Sequence, residues 1–326
     1  MQSFALEQGR DIADTIRRGQ ALDADYIAGG TDLLQLLKDN IRNPSTLIDL
    51  EGLGLGEITA TSDGLRLGAM ARMGDVADHP AVRRDYPVLA EALLASAAPQ
   101  IRNLGTMGGN LLQRTRCTYF RDTASPCNKR LPGSGCAAIE GHHRTLAIFG
   151  GSRHCIATHA SDLAVALAAL DAIVHVQGAN GVRDIKVTEL HLPPNDHPDI
   201  ETVLQPGELI LAISVPAGPW TGRSHYLKVR DRASFEFALA SAAVALDIAD
   251  GTIRSARIAA GGVGTKPWRL SAAEQALAGA PATSDSWARA GQLATEGAAP
   301  LPGNRFKVPL LQATVTRALQ QAGGEA

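Results

Sequence analysis

The chain lacks any apolar run long enough to span a bilayer, and its amino terminus, Met1-Gln-Ser-Phe-Ala-Leu-Glu7, has no basic segment followed by an apolar stretch. Neither a membrane span nor an export signal of its own is expected. Charge of neither sign dominates. A formal net charge of −2 over 326 residues sets up no global field to draw nucleic acid or an anionic membrane, so electrostatic arguments must be local. Aromatic residues are scarce at 4%, which leaves few platforms for stacked single-stranded bases. Cysteine is scarcer still. A core of this size does not need a disulfide scaffold, and four cysteines could not build an extensive one.

Those four cysteines, Cys117, Cys127, Cys136 and Cys155, all fall within one 39-residue window. Such clustering favours a metal centre over bridges between distant elements. The intervals of nine, eight and eighteen residues are not the Cys-x-x-Cys pattern of zinc ribbons or bacterial ferredoxins. Two disulfides and free thiols are the other readings. Just before the window lies the glycine-rich run Asn103-Leu-Gly-Thr-Met-Gly-Gly-Asn110. Thiolates beside a backbone suited to phosphate suggest an iron–sulfur cluster next to a nucleotide-type cofactor, and hence electron transfer. From Arg102 to Arg153 there are eight Lys and Arg residues against Asp122 and Glu140. A segment so cationic would offset the charge of a thiolate cluster or a pyrophosphate; a solvated basic loop or a docking surface for an acidic partner is the plainer reading.

Along the chain, Asp23–Ala28 reads as a strand, Gly29-Gly30 as a turn, and Thr31–Lys38 as a helix capped by Thr31. Strand, glycine turn and helix N-terminus can form an anion site, although Ala-Gly-Gly-Thr alone reads more readily as an ordinary tight turn. Two Gly-Gly loops about 75 residues apart could converge on one extended ligand. A strand at Thr46–Leu50, a hairpin turning at Asp63-Gly64 and a helix opened by Pro87 lie between the loops. Beyond the cysteines, Ser161–Leu170 reads as a helix capped by Ser161, with Asp162 in its first turn as dipole compensation or as a ligand for sugar hydroxyls. A hairpin follows at Asn180-Gly181, and His191–Pro198 reads as a linker. The strands Glu208–Val215, Ser224–Arg230, Phe237–Ala249 and Thr252–Ala260, with three helices after them, point to a separate α+β domain of antiparallel sheet packed with helices. The expected divisions are 1–55, 56–190 with an insertion at about 112–156, and 191–326.

Ala28-Gly-Gly-Thr-Asp32, Asn103–Asn110, Ala160-Ser-Asp-Leu163 and Tyr226-Leu-Lys-Val-Arg-Asp-Arg232 occur in this order, and together they resemble the FAD-binding medium subunit of the xanthine dehydrogenase family of molybdenum hydroxylases. The resemblance covers essentially the whole chain. It implies a two-part FAD-binding domain of the vanillyl-alcohol-oxidase/PCMH type ahead of the C-terminal α+β domain. Most such subunits pass directly from the second Gly-Gly loop to the Ser-Asp helix, whereas here an insertion holds all four cysteines. That insertion resembles the flavin subunit of bacterial periplasmic aldehyde oxidoreductases, which carries an extra [4Fe–4S] cluster.

By that resemblance Ala28, Gly29, Gly30, Thr31 and Asp32 with Gly105, Thr106, Gly108, Gly109 and Asn110 would cradle the FAD pyrophosphate and flank its ring. Asp162 would bind FAD hydroxyls, Lys228 would lie near the flavin, and Cys117, Cys127, Cys136 and Cys155 would hold the [4Fe–4S] cluster. The implied partners are a large molybdopterin-binding subunit and a small [2Fe–2S] subunit in a heterotrimer, with an external electron acceptor and no nucleic acid. The chain would be an oxidoreductase subunit with no catalytic residue of its own. The compartment would be the periplasm, by export with a signal-bearing partner, or the cytoplasm. A xanthine dehydrogenase or hydroxybenzoyl-CoA reductase flavin subunit is an alternative of the same type, and a zinc-stabilised nucleic-acid module one of a different class.

Overall fold

The computed structural model describes residues 1–324. Strands β1 (Ala5–Gln8), β2 (Ala24–Ile27) and β3 (Thr46–Asp49) form a small parallel sheet in the order β1-β3-β2. The crossovers carry the helices Ile12–Gly19 and Leu33–Lys38, as parallel pairing requires. The second helix begins one residue later than a cap at Thr31 would place it. Asp32, not Thr31, takes the position before it, and its side chain makes no cap bond.

A second, antiparallel sheet contains β4 (Ile58–Thr61), β5 (Gly64–Gly68), β6 (Ile173–Gly178), β7 (Gly181–Lys186) and β8 (Leu209–Pro216) in the order β4-β5-β8-β6-β7. Both hairpins turn at the expected Asp63-Gly64 and Asn180-Gly181 pairs, with Gly64 at φ 150 and Gly181 at φ 103. Here the expected boundary at 191 fails. The strand read as opening the C-terminal domain pairs Leu65 with Val215 on one side and Val174 with Ile213 on the other, so it is the centre of this sheet. An apolar strand pattern carries no record of which sheet will take it.

The C-terminal sheet runs β12 (Trp268–Arg269), β11 (Thr252–Gly261), β10 (Ala240–Ala249) and β9 (Ser224–Val229). Strand period divides β10 cleanly: Ala243 and Ala245 join one core, while Ala242, Val244 and Leu246 join another with the helices Ser271–Leu277, Ser284–Leu293 and Lys307–Gly323. The helix Asp162–Ala169 is apolar nearly all round, and all eight of its residues are buried. Ser161 caps it as expected, its Oγ accepting the Ala164 N–H at 2.9 Å. No helix among the described residues is long and apolar enough to cross a membrane.

Candidate functional site

The two glycine loops do converge. A Cβ on Gly29 would collide with the carbonyl of Leu104, so only glycine permits this approach, and Gly30 sits at φ 68 in the left-handed region. Arg72 staples the junction, donating from Nη1 to Leu104 O at 2.6 Å and from Nη2 to Glu51 at 2.9 Å. The second loop opens a short helix at Met107, where Thr106 Oγ1 accepts the Gly109 N–H at 3.2 Å. Gly108 lies close against Ala69, a Cβ there falling 3.2 Å from its carbonyl oxygen. Asn110 Oδ1 accepts the Ser161 hydroxyl at 2.5 Å, which ties the loop to the cap of the buried helix.

Between these loops lies a cleft of about 940 Å³, within the range of roughly 300–1,000 Å³ typical of ligand clefts. Ala28 to Asp32, Gly105, Thr106, Gly108, Gly109, Asn110, Asp162 and Lys228 all line it. The residues singled out in the sequence thus line one cleft, but the structure gives three of them other partners. Asp162 Oδ1 accepts the Tyr226 hydroxyl at 2.5 Å, and Oδ2 accepts Lys228 Nζ at 2.7 Å and Ser96 Oγ at 3.0 Å. Lys228 also donates to Ala95 O at 3.1 Å. Asp32 turns to the cysteine segment, accepting the Arg114 N–H at 2.7 Å and Arg121 Nη2 at 2.9 Å.

His159 and His191, which no motif singled out, also line the cleft. Their Nε2 atoms are 3.1 Å apart, and His191 Nε2 lies 2.9 Å from Leu111 O. Burial holds both imidazoles neutral and lowers His191 to about 4. For His191 the Leu111 carbonyl and Glu201 oppose that shift, and Lys266 favours it. Because the folded state binds the proton more weakly than the unfolded chain, this stability is full above about pH 6.5 and is lost as pH falls toward 4. A His191→Asn variant is expected to lose less stability than the wild type over that window. Equal slopes in urea titrations at successive pH values would count against it.

The four cysteines come together beside the cleft, lining one small cavity with Phe120, Asn128 and Cys155's neighbour His154. Cys117, Cys127 and Cys155 are buried, Cys136 is partly so, and none forms a disulfide. Cys127 and Cys136 face each other across an antiparallel bridge closed by Asn128, whose N–H donates to Gly135 O at 2.7 Å while its Oδ1 accepts the Gly135 N–H at 2.8 Å. Burial raises the thiols of Cys117 and Cys136, and that of Cys155 to about 11, Lys129 opposing the last shift. Among the described residues no group of three or more His, Cys, Asp or Glu is arranged to hold a single metal ion.

The basic excess of this segment is largely cancelled by acids from elsewhere. Arg116 and Arg121 pair with Asp32, Arg114 and Lys129 with Glu201, Arg144 with Asp231, and Arg153 with Asp196. The segment is thus stitched into the fold and is not a free cationic loop. Its far end is held by the C-terminal domain, where the buried Lys307 donates to Thr145 O at 2.8 Å and Gly262 O at 2.6 Å.

Known proteins match in both halves. The model for the FAD binding domain in molybdopterin dehydrogenase matches residues 3–218, and that for the CO dehydrogenase flavoprotein C-terminal domain matches 225–322. The aldehyde oxidoreductase FAD-binding subunit PaoB of Escherichia coli (strain K12) is 48% identical over 330 residues, covering 100% of both chains. The carbon monoxide dehydrogenase medium chain of Afipia carboxidovorans is 24% identical, covering 99% of this chain and 98% of its own. A solved Cu,Mo-CO dehydrogenase superposes with a TM-score of 0.78 at 24% identity over 100% of this chain and 99% of that one, and shares the fold. With an FAD-binding domain running through the cysteine segment, a nucleic-acid module is set aside. The chain belongs to the FAD-binding medium subunits of the molybdenum hydroxylase family and is an oxidoreductase subunit.

Proposed function

We propose that this chain is the FAD-binding electron-transfer subunit of a molybdenum-dependent aldehyde oxidoreductase. The observation that carries the reading is the convergence of two glycine loops on one cleft, in a chain 48% identical along its whole length to an aldehyde oxidoreductase FAD-binding subunit. Residues Ala28 to Thr31 and Gly105 to Asn110 would hold the FAD pyrophosphate, with backbone N–H groups free of Cβ obstruction at the glycines. Bound flavin supplies one- and two-electron redox chemistry, so the protein contributes orientation and shielding and needs no nucleophile. Asp162 and Lys228, neutralising each other at the wall, act on the cleft chiefly by fixing its shape. A large molybdopterin-binding subunit and a small [2Fe–2S] subunit would deliver the electrons, and an external acceptor would remove them. Periplasmic export with a signal-bearing partner, or residence in the cytoplasm, is compatible with such a complex.

The thiol cavity fits a [4Fe–4S] cluster better than a lone ion. A cubane places each thiolate on a different iron, so its ligands surround a volume and need not converge on one point. Four cysteines on one cavity have that character. The anaerobically purified chain is expected to release one FAD and about four irons with matching acid-labile sulfide. Each Cys→Ser variant at 117, 127, 136 and 155 should lose most of that iron, since no fifth cysteine exists to substitute. Full iron retention in any of them would remove the four-ligand assignment. In the assembled complex, anaerobic bleaching of flavin absorbance by an aldehyde supports the substrate class. Bleaching by a purine alone would favour the xanthine dehydrogenase type.

A further inference from the structure

Asp32 stands where an aspartate usually turns back to cap its own helix, and it does not do so. Both carboxylate oxygens reach instead to the segment that carries the cysteines. Oδ2 accepts the Arg114 N–H at 2.7 Å, while Oδ1 lies 2.9 Å from Arg121 Nη2 and 3.0 Å from Arg116 Nη1. The Asp32 side chain is 14% exposed and that of Arg121 16%, so these charge-assisted bonds are shielded from water. A second, apolar link runs beside them. Leu36, one turn further along the same helix, is buried in one cluster with Phe120, Cys117, Cys127 and Cys155. At the other end of this stretch, Gly29 is pressed against Leu104 of the second glycine loop. Residues Gly29 to Leu36 therefore run along the cofactor cleft and at Leu36 join the apolar cluster that holds the cysteines.

We propose that Asp32 is a positioning residue that joins the cleft and the cysteine segment into one cooperative unit. Binding of FAD orders residues 114–136, and loosening that segment weakens FAD binding. The proposal rests on the reading that FAD occupies the cleft. It does not depend on what the thiol pocket holds. Coupling between two sites is reciprocal, which makes Arg121 the discriminating residue. Arg121 does not line the cleft, so its influence on FAD passes through the groups it holds there, Asp32 and the carbonyls of Thr115 and Arg114.

The test is hydrogen exchange on the full chain, FAD-loaded and FAD-stripped, for the wild type, Asp32→Asn and Arg121→Gln, with FAD affinity measured on the same preparations. In the wild type, stripping FAD is expected to speed exchange in residues 114–136 about tenfold and to leave strands β10 and β11 unchanged. In each variant the segment should exchange near the stripped rate even with FAD bound, and FAD affinity should fall by at least about fivefold. Arg121→Gln leaves Asp32 and its helix intact, so the comparison stands should Asp32→Asn fail to fold. Unchanged exchange on stripping the wild type, or wild-type FAD affinity in Arg121→Gln, would overturn the coupling while leaving the FAD assignment in place. A wild-type chain that binds no FAD would overturn both.

Discussion

Replacing Lys228 by methionine is expected to destabilise the chain by about 3–5 kcal/mol, because it strands a buried carboxylate without its counter-charge. The side chains of Lys228 and Asp162 are 3% and 8% exposed, and Nζ lies 2.7 Å from Oδ2. The first-turn position of Asp162 and its bonds from Tyr226 and Ser96 offset only part of its desolvation. Adding Asp162→Asn to Lys228→Met should recover most of the loss, since the remaining amide carries no charge to compensate. Urea denaturation of the two single variants and the double variant measures the cycle. A Lys228→Met midpoint equal to the wild type would mean that the pair contributes nothing, and would return Lys228 to the role of a residue facing the flavin alone.

Gly29→Ala is expected to weaken FAD binding by about 5- to 150-fold, the consequence of roughly 1–3 kcal/mol of overpacking at the junction of the two glycine loops. The added Cβ collides with the backbone carbonyl of Leu104, which has no flexible end to swing aside and is also held by Arg72. Either the loops part or the chain bends, and both change the cleft. Gly222→Ala is the control: a Cβ there meets nothing within 4 Å, and the residue does not line the cleft, so FAD content should be unchanged. Equal FAD affinity in Gly29→Ala and Gly222→Ala would show that the approach of the loops does not govern the site.

Much of this site was legible because it is written in short, local signals. Glycine pairs fix turns through their φ freedom, Ser161 fixes a helix start, and four cysteines within one window fix a thiol-bearing segment. What was misread is non-local in each case. Thr31 looked like a cap because the residue type suits one, yet the helix starts after Asp32, whose carboxylate is drawn to Arg114 and Arg121 more than 80 residues away. The cysteine segment looked strongly basic because Asp32, Glu201, Asp196 and Asp231 lie outside it in sequence and against it in space. His159 and His191 carried no spacing that could announce them, being 32 residues apart.

By itself the sequence determined the elements and their chemistry. Period-two runs became strands, the apolar Asp162–Ala169 stretch became a buried helix, and the ordered set of glycine, Ser-Asp and Lys motifs pointed to an FAD-binding medium subunit. Only the tertiary structure decided the partnerships. It put Leu209–Pro216 at the centre of the second sheet, where an apolar strand gains two neighbours, and left the C-terminal sheet to begin at Ser224. It also matched buried charges to opposite charges distant in sequence, Lys228 to Asp162 and Arg121 to Asp32. Local propensity is set by a residue and its near neighbours, whereas a buried charge or an open strand edge is satisfied by whatever the folded chain brings against it.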